Sequence, residues 1–156
     1  MKISCIIPTH NRPKFLEEAI RSVLAQSLCP YEIIIVNNGQ EKLTLSDDIS
    51  ERLTVYNIVS NAGASQARNF GASVAQGDYL AFLDDDDLWC SKYLEKVFEA
   101  LNMGVECMVS RLDKMNGEII SEYKNIIGEL NLKHLFTFNP GITGSNIVIK
   151  KDVFCK

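Results

Sequence analysis

The chain has 156 residues, a 46% hydrophobic share, a formal net charge of −4 and a pI near 5.2. That length gives one domain, or part of one, with enough apolar material for a real core. The acidic balance excludes a protein built to bind a nucleic-acid backbone, which would carry a basic face, and an anionic small ligand would need a metal or local Arg and Lys to hold it.

Ile3 to Ile7 is an apolar run ended by Pro8, which predicts a buried strand. Thr9 to Pro13 reads as a loop, with Pro13 suited to the first turn of a helix. Phe15, Leu16, Ala19, Ile20, Val23 and Leu24 then form a helical stripe. Tyr31 to Val36 is a second strand. Its Ile33-Ile34-Ile35-Val36 core is apolar on both faces, the pattern of a parallel sheet covered on both sides. Asn37-Asn38-Gly39-Gln40 breaks it, and residues 41–51 read as a polar connection. Leu53 to Val59 predicts a third strand, and Asn61-Ala62-Gly63 a turn. Ser65 is the expected N-cap of a helix over Gln66 to Ala75 that Gly77 ends. Tyr79 to Leu83 is a fourth strand, Lys92 to Leu101 a helix, and Val105 to Val109 a fifth strand. Asn116-Gly117 is a hairpin signal, followed by an expected helix over Ile126 to Phe136. Pro140 to Ser145 reads as a loop, Asn146 to Ile149 as a strand, and the last residues as the start of a helix.

The five cysteines have an odd count and no CxxC spacing, and with two histidines they do not read as a zinc site. They are expected to be reduced thiols of a cytoplasmic protein, Cys5 and Cys107 in the core. The N-terminal apolar run is too short for a signal peptide, and no stretch approaches the ~20 apolar residues of a membrane span.

Strands and helices in this order predict an α/β layered domain, in which ligands sit at the carboxyl ends of the strands. Pro8-Thr9, Asn37-Asn38-Gly39, Asn61-Ala62-Gly63 and Asp84-Asp85-Asp86-Asp87 all fall there. Two like charges about 4 Å apart cost on the order of 4 kcal/mol at an effective dielectric of ~20. A divalent cation with oxygen ligands would remove that cost from the aspartate run; a solvated acidic turn is the other reading of the run alone. The strand tips converging on the same edge favour a site. A calcium loop does not fit, because Leu88 and Trp89 stand where further oxygen ligands would be needed.

Four motifs carry a resemblance: Ile7-Pro8-Thr9-His10-Asn11-Arg12, Ile35-Val36-Asn37-Asn38-Gly39, Asn61-Ala62-Gly63 with Ala67-Arg68-Asn69-Phe70-Gly71, and Gly77 to Trp89. In that order and spacing the chain resembles the family 2 glycosyltransferases of the GT-A fold, clearly over about the first 110 residues. The resemblance implies a Rossmann-like layered domain with a mostly parallel central sheet covered by helices. It implies a donor-binding part over residues 1–110 and a partial acceptor-side part over 111–156. It further implies an inverting transferase that uses Mg²⁺ or Mn²⁺ and moves a sugar from a nucleotide-sugar donor, expected to be UDP-linked, to a saccharide or lipid-linked acceptor. Such a protein would work in the cytoplasm, at the inner membrane face where the acceptor is lipid-linked.

Carried over by position, Asp84-x-Asp86 matches the family's DXD motif. Asp86 would ligate the metal, Asp84 would hold ribose or sugar hydroxyls, and Asp85 fills the variable position beside them. Pro8, Thr9 and Arg12 match the first nucleotide-contacting loop, and Arg68 would reach base, ribose or phosphate. Asn38 stands where an Asp usually accepts the uracil N3–H. An Asn carbonyl still accepts, more weakly without the charge, and its amide also donates, which would suit a different base edge. His10 stands where an aromatic is common. Inverting members carry a general base beyond the loop here formed by Gly141 to Ser145, and no residue of this sequence matches it. A truncated or degenerate nucleotide-sugar-binding module is therefore the alternative reading.

Overall fold

A computed structural model describes residues 1–58, 63–117, 119–122 and 142–156. The chain runs β1 (Ile3–Thr9), α1 (Pro13–Leu24), β2 (Glu32–Asn37), α2 (Asp47–Ser50), β3 (Thr54–Asn57), α3 (Gly63–Val74) and β4 (Tyr79–Phe82). It continues through α4 (Tyr93–Leu101), β5 (Cys107–Val109), β6 (Asp113–Asn116), β7 (Ile119–Glu122), β8 (Ile147–Lys150) and α5 (Lys151–Phe154). The main sheet has the order β3-β2-β1-β4-β8-β5, and β6-β7 form a separate hairpin. Strands β1 to β4 pair in parallel, while β8 runs antiparallel to both β4 and β5.

The unbroken apolar runs are explained by cover on both faces. Cys5, Ile7, Ile33 and Ile35 belong to the core that takes in Leu16 and Ile20 of α1 and Leu94 and Val97 of α4. Their chain neighbours Ile6, Ile34 and Val36 point the other way, into the core with Ala67 and Ala72 of α3. Helix α3 approaches closely because Gly71 lacks a side chain: a Cβ there would lie 2.5 Å from Cγ2 of Ile6.

Register places the site. Thr9 pairs with Asn37, and Asn37 with Asn57, so three strand tips end on one edge. Because β8 is antiparallel to β4, its N-terminal end lies on that same edge. The segment 142–146 is thereby delivered beside the aspartates that follow β4.

Several expectations change. Helix α3 begins at Gly63, so Ser65 sits inside its first turn rather than capping it. A one-turn helix interrupts the polar connection of 41–51, and its Ile49 is fully buried; a single apolar residue among charges carried no periodic signal. Phe15 is exposed although the stripe included it, because the buried face of α1 is centred on Leu16, Ala19, Ile20 and Val23. Cys5 is buried as expected, but Cys107 is exposed, on the short edge strand β5. Trp89 is packed against Tyr93, whereas Leu88 beside it is exposed. The hairpin at Asn116-Gly117 forms with Asn116 opposite Ile119. The expected helix over Ile126 to Phe136, the end of the third strand at Val59 and the Asn61-Ala62 turn lie outside the described residues.

Candidate functional site

A cleft of about 510 Å³ opens at the carboxyl edge of the sheet. Pro8, Thr9, His10 and Arg12 line it from the loop after β1, and Asn38 from the end of β2. Gly63, Ala64 and Arg68 line it from the start of α3, and Asp84, Asp85 and Asp86 from the turn after β4. Every residue singled out for donor or metal binding therefore meets in one place. Ala64 was not foreseen; Gly63 was, and its positive φ of 82° is where a turn needs a glycine.

The four aspartates separate by partner. Asp85, at the position expected to vary, is 1% exposed. It accepts a hydrogen bond from Thr9 Oγ1 at 2.7 Å and an ion pair from Arg12 Nη2 at 2.8 Å. Arg12 reaches Asp86 with its other nitrogen, Nη1, at 2.7 Å, and Asp86 stays half exposed to the cleft. One guanidinium thus ties the β1 loop to two successive carboxylates. Asp84 pairs with Arg68 Nη2. Arg68 Nε is sealed from solvent and has no hydrogen-bond partner among the described residues. Asp87 turns away from the cleft to accept the Ser145 hydroxyl, while Ser145 Oγ accepts the Asp84 backbone N–H at 2.9 Å. The Ser145 carbonyl accepts the Trp89 indole N–H at 3.1 Å.

Ser145 and its neighbour Gly144 were read only as loop. Their contribution follows from the antiparallel β8, a strand direction that apolar runs alone do not encode. A Cβ on Gly144 would lie 2.5 and 2.6 Å from the two Asp84 carboxylate oxygens and would also strike Arg68 Nη2. The Arg68–Asp84 pair rests directly on that glycine.

The model of Glycosyl transferase family 2 matches residues 4–155. The chain belongs to this family. Among its relatives, the uncharacterized glycosyltransferase YwdF of Bacillus subtilis is 40% identical over 99 residues, 62% of this chain and 37% of that protein. The putative teichuronic acid biosynthesis glycosyltransferase TuaG of Bacillus subtilis is 39% identical over 102 residues, 62% of this chain and 40% of that protein. The chain therefore spans less than half the length of these relatives. A crystal structure of S. aureus TarS in complex with UDP-GlcNAc superposes with a TM-score of 0.76 at 20% identity, covering 99% of this chain and 47% of that one. That likeness establishes the GT-A type fold. Among the described residues, no helix is long and apolar enough to cross a membrane.

The electrostatics of this family 2 domain carry a pH prediction. Burial pushes the Asp85 carboxyl above the usual carboxylate range, against the Thr9 hydrogen bond and the Arg12 charge. Burial also pushes Asp87 up, aided by the charges of Asp86 and Asp84 and opposed by the Ser145 hydrogen bond. A carboxyl raised in the folded state binds protons more tightly folded than unfolded. Its stabilisation is full below the unfolded pKa and is lost as pH rises through the raised value. Ionised Asp87 is thus a small, solvent-screened cost at neutral pH. Asp87→Asn keeps an oxygen for Ser145 and removes the charge. Because Asp87 is exposed, solvent screening discounts the effect. The variant is expected to raise the melting temperature only slightly at about pH 7 and by still less at about pH 3.5, where Asp is mostly protonated in either state. Equal gains at both pH values would contradict this.

Proposed function

We propose that this domain holds a pyrimidine nucleoside-diphosphate sugar in the cleft and presents it for transfer to a saccharide or lipid-linked acceptor, in an inverting, metal-dependent reaction. The observation that carries the reading is the meeting of Thr9, Arg12, Asn38, Arg68 and Asp84 to Asp86 around one cleft at the carboxyl edge of the sheet. TarS, which shares the fold, is seen with UDP and with UDP-GlcNAc.

Charge supports a metal. Three carboxylates and two guanidinium groups line the cleft, so a diphosphate enters a site that already carries one net negative charge. Among the described residues, no group of three or more His, Cys, Asp or Glu side chains is arranged to hold an ion. Mg²⁺ is ordinarily held by one or two carboxylates together with substrate phosphates and water. Asp86 fits that partial donor set, being a hard oxygen ligand open to the cleft, and Asp84 is the second such group. Bound there, Mg²⁺ or Mn²⁺ would supply Lewis-acid stabilisation of the departing diphosphate.

The chain's own residues have distinct tasks. Asp85 holds Arg12 and Thr9, fixing the β1 loop against the aspartate turn. Arg68 lines the cleft beside Asp84, and its guanidinium is suited to a phosphate or hydroxyl oxygen. Residues 1–110 are read as the donor side and 111–156 as part of the acceptor side. The domain is placed in the cytoplasm, against the inner membrane face for a lipid-linked acceptor.

A thermal-shift panel tests the donor reading. CDP-, UDP-, dTDP- and GDP-sugars are added to the chain with Mn²⁺ or with EDTA. At least one pyrimidine nucleotide is expected to raise the melting temperature only in the presence of Mn²⁺. No metal-dependent shift with any nucleotide would sink the reading.

A further inference from the structure

We propose that Asn38 chooses the donor's base, and that it favours a ring nitrogen that accepts a hydrogen bond: cytosine rather than uracil. The inference rests on the nucleotide-sugar reading of the cleft and narrows its pyrimidine.

Strand order divides the cleft. Strand β1 lies between β2 and β4, so Asn38 at the tip of β2 and the aspartates after β4 flank it on opposite sides. Two strand spacings separate them by about 10 Å. All the charged groups of the cleft lie on Arg12, Arg68 and Asp84 to Asp86, whereas the β2 side offers the uncharged amide of Asn38 beside His10 and Pro8. A diphosphate goes to the charged side. The base, which carries no charge, is left the amide.

Which face that amide presents is fixed by His10. His10 Nδ1 lies 3.1 Å from the Asn38 backbone carbonyl oxygen and 3.1 Å from Asn38 Oδ1. A carbonyl oxygen can only accept, so Nδ1 carries the proton and donates. The side-chain atom facing the same N–H must then also be an acceptor, which assigns it as oxygen and not as NH₂. The other ring nitrogen agrees, since Asn11 Nδ2 stands 3.4 Å from Nε2 and suits it as an acceptor. The backbone holds the arrangement in place through the Asn38 N–H, which donates to the Thr9 carbonyl at 3.0 Å.

The Asn38 oxygen is therefore turned towards His10, which takes one of its two lone pairs and fixes the NH₂ on the other side of the amide. Its NH₂ has no hydrogen-bond partner among the described residues, on a side chain of a residue only 4% exposed that lines the cleft. A donor held in this way meets the N3 of cytosine as donor to acceptor. It meets the N3–H of uracil or thymine as donor to donor, which leaves both groups unpaired in a buried place.

Calorimetric titration with CDP and with UDP, each with Mn²⁺, reads the choice directly. The wild-type chain is expected to bind CDP at least tenfold more tightly than UDP. Asn38→Asp replaces the donor with an acceptor and is expected to reverse the order. His10→Leu releases the amide to rotate and is expected to bring the two affinities within about threefold, a change of roughly half of 1.4 kcal/mol. UDP binding as tightly as CDP in the wild type, or an unchanged ratio in Asn38→Asp, overturns the inference while leaving the nucleotide reading intact. Failure of every nucleotide to bind sinks the nucleotide reading itself, and this inference with it.

Discussion

Replacing Asp86 with alanine is expected to abolish metal-dependent nucleotide binding while leaving the unliganded fold almost unchanged. The two halves of that result have different causes. Asp86 is 48% exposed, and its pair with Arg12 is of the solvent-screened kind that contributes about 0–1 kcal/mol. When it is removed Arg12 is not orphaned, because its second nitrogen remains 2.8 Å from Asp85. The melting temperature without ligand should therefore shift by no more than about 0.5 kcal/mol of stability implies. Binding is another matter. A divalent cation at this cleft has few protein oxygens to use, and Asp86 is the one most open to it. Loss of that ligand is expected to weaken nucleotide binding in Mn²⁺ at least a hundredfold, about 2.8 kcal/mol. Asp85→Ala is the instructive contrast. It strips the partner from the Thr9 hydroxyl and from one arm of Arg12 at a buried position, so it should lower stability itself. A Mn²⁺-dependent thermal shift that survives in Asp86→Ala would remove the metal role from this residue.

The parts of the site that could be read from sequence are those on parallel strand tips. Ile3–Ile7 and Ile33–Val36 are apolar on both faces because each alternate residue meets a different helix layer, and that pattern announces a parallel sheet. Once the sheet is parallel, its carboxyl edge gathers Thr9, Asn38 and the aspartates without further information. What stayed hidden depended on direction and on partner. The antiparallel course of β8 brings Gly144 and Ser145 to the edge, yet Ile147–Lys150 looks like any short apolar strand. The aspartates are identical letters, and only neighbours outside the run distinguish them. Thr9 and Arg12 bury Asp85, and Ser145 draws Asp87 away from the cleft. Asp85, the residue expected to vary, is thus the best anchored of those that face the cleft. The amide orientation of Asn38 was equally out of reach, since it depends on a histidine nitrogen 28 residues away in sequence.

Gly144→Ala is expected to weaken nucleotide binding at least tenfold through a pair of residues it does not belong to. The new methyl would sit 2.5–2.6 Å from both Asp84 carboxylate oxygens and against Arg68 Nη2, closer than atoms approach without one of them moving. The atoms in its way are ends of side chains, so the fold can yield. Overpacking of this kind costs roughly 1–3 kcal/mol. What cannot be kept is the geometry. Asp84 is tied at its backbone N–H to Ser145 Oγ, in the same turn as the glycine, so its carboxylate must swing out of the pair with Arg68. Arg68 would then leave its place beside the aspartates. A stability loss alone would lower the melting temperature without changing the affinity of the folded fraction, so titration of the folded protein separates the two effects. A double-mutant cycle goes further. If Gly144→Ala acts by displacing the Arg68–Asp84 pair, it should cost almost no additional affinity in an Arg68→Ala background, because the interaction it breaks is already gone. If instead the two losses multiply, Gly144 shapes the cleft independently of that pair, and the glycine's role as the seat of the Arg68–Asp84 pair is wrong.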